Sequence, residues 1–157
     1  MLNDISIGII NSDIIRDMCI NNCTKTEKQK TGPNGELSGP KPKGKIEMAL
    51  QTILEQRSLY PIYPSGLNTP VDWDQIKGLM FESPPDILIA PSELVMLAKV
   101  IEGTICINPG NICKQNTGGS FASITVDPVV VPNGDRDSEK LFSNRVSDRV
   151  RVDIIHI

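Results

Sequence analysis

Apolar side chains fall along this chain in short clusters, and the spacing inside each cluster changes from one to the next. Ile5 to Ile10 is β-branched and apolar apart from Ser6 and Gly8, the composition of a short buried strand. Asn11, Ser12 and Asp13 follow, and their side-chain oxygens can accept from the free amides that open a helix. Ile14, Ile15, Met18 and Cys19 then recur at a spacing that gathers them on one side, predicting a helix at about 13–21. Helical spacing returns from Lys45 to Arg57, with Ile46, Ala49, Leu50, Ile53 and Leu54 on one face and Lys45, Glu47, Gln51 and Glu55 largely opposite.

Beyond that helix the signal turns to strands. Ser58 to Pro70 holds Pro61, Pro64, Pro70 and both tyrosines, which forbids helix, disfavours a central strand and leaves an extended segment. Asp86 to Ala90, bracketed by Pro84, Pro85 and Pro91, has the run of a short strand buried on both faces. Leu94 to Ile101 is spaced for one or two helical turns. Thr104 to Ile107 is a β-branched strand ended by Asn108, Pro109 and Gly110. Phe121 to Val126 alternates as a strand does. Val146, Val150, Val152, Ile154 and Ile157 sit among charged residues and predict a final strand, at an edge or antiparallel, after a polar connection from Pro132 to Asn144. The expectation is a mixed α/β chain with its strands concentrated in the second half.

One stretch stands apart. Residues 24–44 carry four glycines, three prolines, five lysines and two glutamates, with Leu37 the only large apolar side chain. Such a segment cannot bury enough surface to offset its ordering entropy, so a disordered loop at 24–44 is expected, a solvated insertion with a charge of +3.

Composition narrows the classes. The 157 residues, 39% hydrophobic with 12 glycines, fit one globular domain with a modest core. The net charge of −3 disfavours a dedicated nucleic-acid surface. Leu94 to Ala98 is the longest apolar run, five residues and far short of the roughly 20 residues of a membrane helix, so no membrane is expected. Asp4 stands where a signal peptide would be basic, which leaves a reducing compartment as the expectation. Cys19, Cys23, Cys106 and Cys113 lack both the spacing of zinc modules and the density of a disulfide scaffold, so free thiols are expected. With a single histidine, His156, this chain alone cannot supply chemistry that needs two.

The remaining constellations each have a plain structural explanation. Gly110 to Ser120 gathers glycines, a lysine and hydroxyls, but Lys114 follows Cys113 rather than a glycine, and the segment leads into a strand. Asp72 and Asp74 flank Trp73, and side chains two apart diverge unless the segment is extended, so a surface turn is expected. His156 lies between Ile155 and Ile157 as an ordinary strand histidine, and a zinc site would need all four cysteines to converge.

Three stretches together resemble one family. They are Ile53-Leu54-Glu55-Gln56-Arg57-Ser58-Leu59-Tyr60-Pro61-Ile62-Tyr63-Pro64, Pro85-Asp86-Ile87-Leu88-Ile89-Ala90-Pro91-Ser92-Glu93-Leu94, and Cys106-Ile107-Asn108-Pro109-Gly110 followed by Gly118-Gly119-Ser120-Phe121-Ala122. In this order they are similar to the C-terminal part of B subunits, the accessory subunits of eukaryotic DNA polymerase alpha–primase. The resemblance implies the C-terminal portion of a calcineurin-like metallophosphoesterase sandwich over residues 1–157, catalytically inactive. An active phosphoesterase places Gly-His-x-His after a late core strand, where two imidazoles complete a dinuclear metal site; here Ala90-Pro91-Ser92-Glu93 stands instead. Ala90, Pro91, Ser92, Glu93, Asn108, Pro109 and Gly110 are therefore the candidate loops of a vestigial metal site, with no catalytic residue, metal or cofactor expected.

The resemblance also implies partners: the C-terminal domain of the DNA polymerase alpha catalytic subunit, primase subunits through the complex, DNA indirectly, and residence in the nucleus. Two other classes stay open. One is a metal-dependent phosphoesterase with ligands upstream; the other is a single-stranded nucleic-acid binder using the lysines of 24–44 with Tyr60, Tyr63 and Trp73 as stacking platforms.

Overall fold

Ile87–Ile89 and Thr104–Asn108 run side by side as parallel strands, and their side chains alternate between two cores. Leu88 and Cys106 point to one face, Ile87, Ile105 and Ile107 to the other, the period-two pattern of a strand covered on both sides. A computed structural model describes residues 4–21, 30–31, 37–38, 44–66, 69–114, 116–128 and 145–157. In chain order the elements are β1 (Ile7–Ile9), α1 (Ile14–Ile20), β2 (Lys30–Thr31), β3 (Leu37–Ser38), α2 (Lys45–Gln56), a kinked 3₁₀ segment (Trp73–Leu79), β4 (Ile87–Ile89), β5 (Leu97–Ile101), β6 (Thr104–Asn108), β7 (Cys113–Lys114), β8 (Thr117–Gly118), β9 (Ser120–Val126), a 3₁₀ turn (Val146–Asp148) and β10 (Val150–His156).

The main sheet has the order β1-β4-β6-β5, with β1, β4 and β6 parallel and β5 antiparallel to β6. On one face lie α1 and α2: Ile14, Ile15 and Met18 of α1 and Ala49, Leu50, Ile53 and Leu54 of α2 pack with Ile10, Leu88, Ala90, Ile101 and Cys106. Fully burying each of the large aliphatic side chains among them stabilises by about 1.5–3 kcal/mol. On the other face Ala122, Ile124, Val150 and Val152, from the antiparallel β9–β10 ribbon, pack against Ile87, Ile89, Ile105 and Ile107. The result is three layers, helices on sheet on ribbon.

Both predicted helices form where their spacing places them. Asp13 caps α1, its side chain accepting from the Arg16 N–H at 3.0 Å. Past Gln56, Arg57 takes a left-handed conformation (φ 50°), and the Arg57 and Ser58 amides donate to Leu54 and Ile53, a Schellman closure usually made with glycine. The Arg57 guanidinium also donates to the Glu82 carbonyl at 2.9 Å.

The helical turns expected over Leu94–Ile101 do not form. Leu97–Ile101 is a strand paired with β6, Ile101 facing Thr104 across the two-residue turn Glu102-Gly103. Both turn residues have positive φ, 48° and 84°, as a type I′ hairpin requires. The apolar run fits either period, and the turn chemistry decides for the strand. Lys99 on β5 then meets Glu47 of α2 at 2.8 Å.

Of the loop expected at 24–44, the pairs Lys30–Thr31 and Leu37–Ser38 form a short antiparallel ladder and Gly44 caps α2. The rest of that loop, Cys23 and the connection at 132–144 lie outside the described residues. Ser58–Pro70 is free of helix and strand among its described residues, with an isolated Ser58–Met80 bridge at its start. The final strand is antiparallel as expected, on β9.

Candidate functional site

The carboxyl ends of β1, β4 and β6 lie on one rim of the sheet, and the loops leaving them bring the candidate residues together. Asn108, the last residue of β6, is fully buried. Its Oδ1 accepts from the Ser92 N–H at 2.9 Å and the Gly110 N–H at 3.0 Å, while its Nδ2 donates to the Val95 carbonyl at 3.1 Å. One amide thus closes the loop after β4 onto the loop after β6. Ser92 is buried too, with its Oγ accepting from the Leu94 N–H at 3.2 Å.

Ala90 ends the β4 ladder by donating to the Ile107 carbonyl at 2.9 Å. Pro91 and Glu93 carry the loop outward, and the Glu93 N–H donates to Asp13 Oδ2 at 2.9 Å. Asp13 therefore caps α1 with one oxygen and holds the second loop with the other. An Arg16–Glu93 ion pair at 3.5 Å lies above it, exposed on both sides. The Pro109 carbonyl accepts from Ser120 Oγ at 2.6 Å. Gly110 has φ 77°, and a Cβ there would meet Ser120 Oγ at 2.6 Å, so glycine is required on both counts.

All seven sequence-derived site residues lie on this rim. What the sequence did not reveal is the hub role of Asn108 and the part of Asp13 and Arg16. The one available signal was Asp13 at a helix-capping position. Chemically the rim is a set of hydrogen bonds closed on themselves, neutral around Asn108 and charge-assisted at Asp13. Among the described residues no three His, Cys, Asp or Glu side chains converge as a metal would need.

The other singled-out residues lie elsewhere. His156 is exposed on β10. Cys113 is exposed and Cys19 half-buried; Cys106 is buried between sheet and helices, and burial pushes its thiol up to about 12. Asp72 caps the 3₁₀ segment by accepting from the Asp74 N–H at 3.1 Å. The Gly110–Ser120 stretch contains the small β7–β8 hairpin. Tyr63 and Trp73 meet edge to face with centroids 5.0 Å apart, but Tyr60 is buried. Its hydroxyl donates to Asp17 Oδ2 at 3.0 Å and accepts from the Gly66 N–H at 2.9 Å. Burial, and secondarily the Asp17 carboxylate, raises its phenol above the usual range. It cannot serve as a stacking platform.

Residues 1–99 match the sequence model of the family of B subunits of DNA polymerases alpha and epsilon. The chain belongs to that family. The matched residues run from β1 into β5 and include the Ala90–Glu93 loop. Among members of this polymerase B-subunit family, the chain is 28% identical to the DNA polymerase alpha B subunit of Schizosaccharomyces pombe, over 99% of this chain and 26% of that protein. It is 26% identical to the DNA polymerase alpha B subunit of Saccharomyces cerevisiae, over 98% of this chain and 25% of that protein. The mouse protein of the same name is 36% identical over 51% of this chain and 14% of its own length. The chain thus spans about a quarter, or less, of the curated relatives it matches.

Proposed function

We propose that this chain is the C-terminal part of a non-catalytic B subunit of DNA polymerase alpha–primase. In this reading residues 1–157 belong to a calcineurin-like phosphoesterase sandwich whose metal-holding loops have become structural. The observation that carries it is the match over 99% of the chain to a relative named as the B subunit of DNA polymerase alpha. The rim chemistry supports it. Where the phosphoesterase resemblance calls for two imidazoles, the loop offers Pro91 and Glu93, whose carboxylate pairs with Arg16, and the Ser92 amide between them is held by the neutral Asn108 side chain. A rim closed by the Asn108, Ser120 and Asp13 hydrogen bonds and the Arg16–Glu93 pair needs no metal ion for its shape.

The protein then acts in the nucleus as a scaffold. It binds the C-terminal domain of the polymerase catalytic subunit, meets primase through the complex and reaches DNA indirectly. Co-expression of the full polypeptide carrying this chain with that catalytic-subunit domain, followed by size-exclusion chromatography, tests the reading. A stable complex is expected. A folded, soluble polypeptide that elutes apart from the domain sinks it.

A further inference from the structure

An open groove of about 1020 Å³ runs between α1, the end of β1 and the segment leading into the 3₁₀ helix. Two isoleucines line it with most of their surface in water, Ile9 at 65% and Ile20 at 64%. Its charged lining is Asp13, Asp17 and Asp72 against Arg16. Among the described residues Arg16 pairs with Glu93, and the three aspartates accept only from neutral donors: backbone amides for Asp13 and Asp72, the Tyr60 and Thr69 hydroxyls for Asp17. The groove therefore joins exposed aliphatic surface to negative charge that no cation among the described residues offsets.

That pairing selects an occupant. At the upper end of small-ligand pocket volumes and open along its length, the groove encloses a small molecule poorly. Its carboxylates repel a phosphate backbone. A polypeptide with aliphatic residues on one side and Lys or Arg on the other meets both features, because it buries the isoleucines and sets cations against the three aspartates. We propose that this groove docks a basic, amphipathic segment of a partner protein. This goes beyond the accessory-subunit reading and does not depend on it.

The probe is a short synthetic peptide alternating Leu and Lys, with a Leu–Glu peptide as its counterpart. Each is titrated into the whole chain by calorimetry and by fluorescence of its single tryptophan, Trp73, which adjoins Asp72. Ile20→Ser removes exposed aliphatic surface at a position the core does not use. Asp72→Ser removes a charge yet keeps a side-chain oxygen for the Asp74 N–H. The Leu–Lys peptide is expected to saturate and to weaken as salt rises from about 50 to about 500 mM. Ile20→Ser should cost about tenfold in affinity and Asp72→Ser about threefold, both at an unchanged urea midpoint. Absence of saturable binding, equal binding of the Leu–Glu peptide, or parent-like affinity in both variants overturns the proposal.

Discussion

Replacing Asn108 by leucine would remove the rim's hub while keeping a side chain of similar reach. Three backbone groups lose a hydrogen bond of 3.1 Å or shorter: the Ser92 N–H, the Gly110 N–H and the Val95 carbonyl. The Ser92 contact is fully buried, so its stranded amide costs about 1–3 kcal/mol; the other two are part-buried, and water recovers some of each, which leaves about 0.5–1.5 kcal/mol apiece. The expected loss is roughly 2–6 kcal/mol, a large share of the roughly 5–15 kcal/mol typical of a domain. Urea unfolding followed by Trp73 fluorescence measures it, and amide exchange at Ser92 and Gly110 localises it. Asn108→Ala removes the same bonds with a different volume change, so agreement between the variants assigns the loss to hydrogen bonding. If both unfold within about 0.5 kcal/mol of the parent and the two amides stay protected, Asn108 is not what holds the rim.

Other outcomes follow from the same geometry. Tyr60→Phe strips the hydroxyl that joins Gly66 to Asp17, and should lower stability in urea by about 1–2 kcal/mol. Glu102 sits at φ 48° in the β5–β6 turn, so Glu102→Asn should raise the thermal midpoint, by about 0.5–1 kcal/mol in stability; a lower midpoint contradicts the turn assignment. At pH 8 Ellman's reagent should label exposed Cys113 in the native chain and leave Cys106 untouched until unfolding. Because the folded Cys106 thiol keeps its proton up to about 12 while an unfolded one loses it near 9, its contribution holds below pH 9. It falls as pH rises from about 9 to about 12, since the unfolded state then binds fewer protons. Cys106→Ala should flatten that part of the stability profile.

The helices are legible in the sequence because their signals are local. Ile14, Ile15 and Met18 in α1, and Leu50, Ile53 and Leu54 in α2, are the residues whose spacing announces them and the ones the core buries. The strands at 87–89 and 104–108 are bounded by prolines and by Asn108-Pro109-Gly110 in the sequence itself. Leu97–Ile101 misleads because five apolar-rich residues satisfy helix and strand alike until a partner is present. At the rim the loops are legible and their fastening is not. Asn108 reaches Ser92 across 16 residues and Asp13 reaches Glu93 across 80. No periodicity records a side chain bonding to a distant backbone.

The β1–β4 register is written twice, at both ends of the pair. Ser6 and Asp86 exchange hydrogen bonds where the strands begin, Asp13 takes the Glu93 amide where their loops leave, and Ile7 faces Ile87 between them, every partner 80 residues on. A slip of the strands breaks both fastenings together. The connection in between is thereby released from setting alignment, and added length there costs only a slowly growing closure entropy. Evolution can lengthen such a connection without moving the rim.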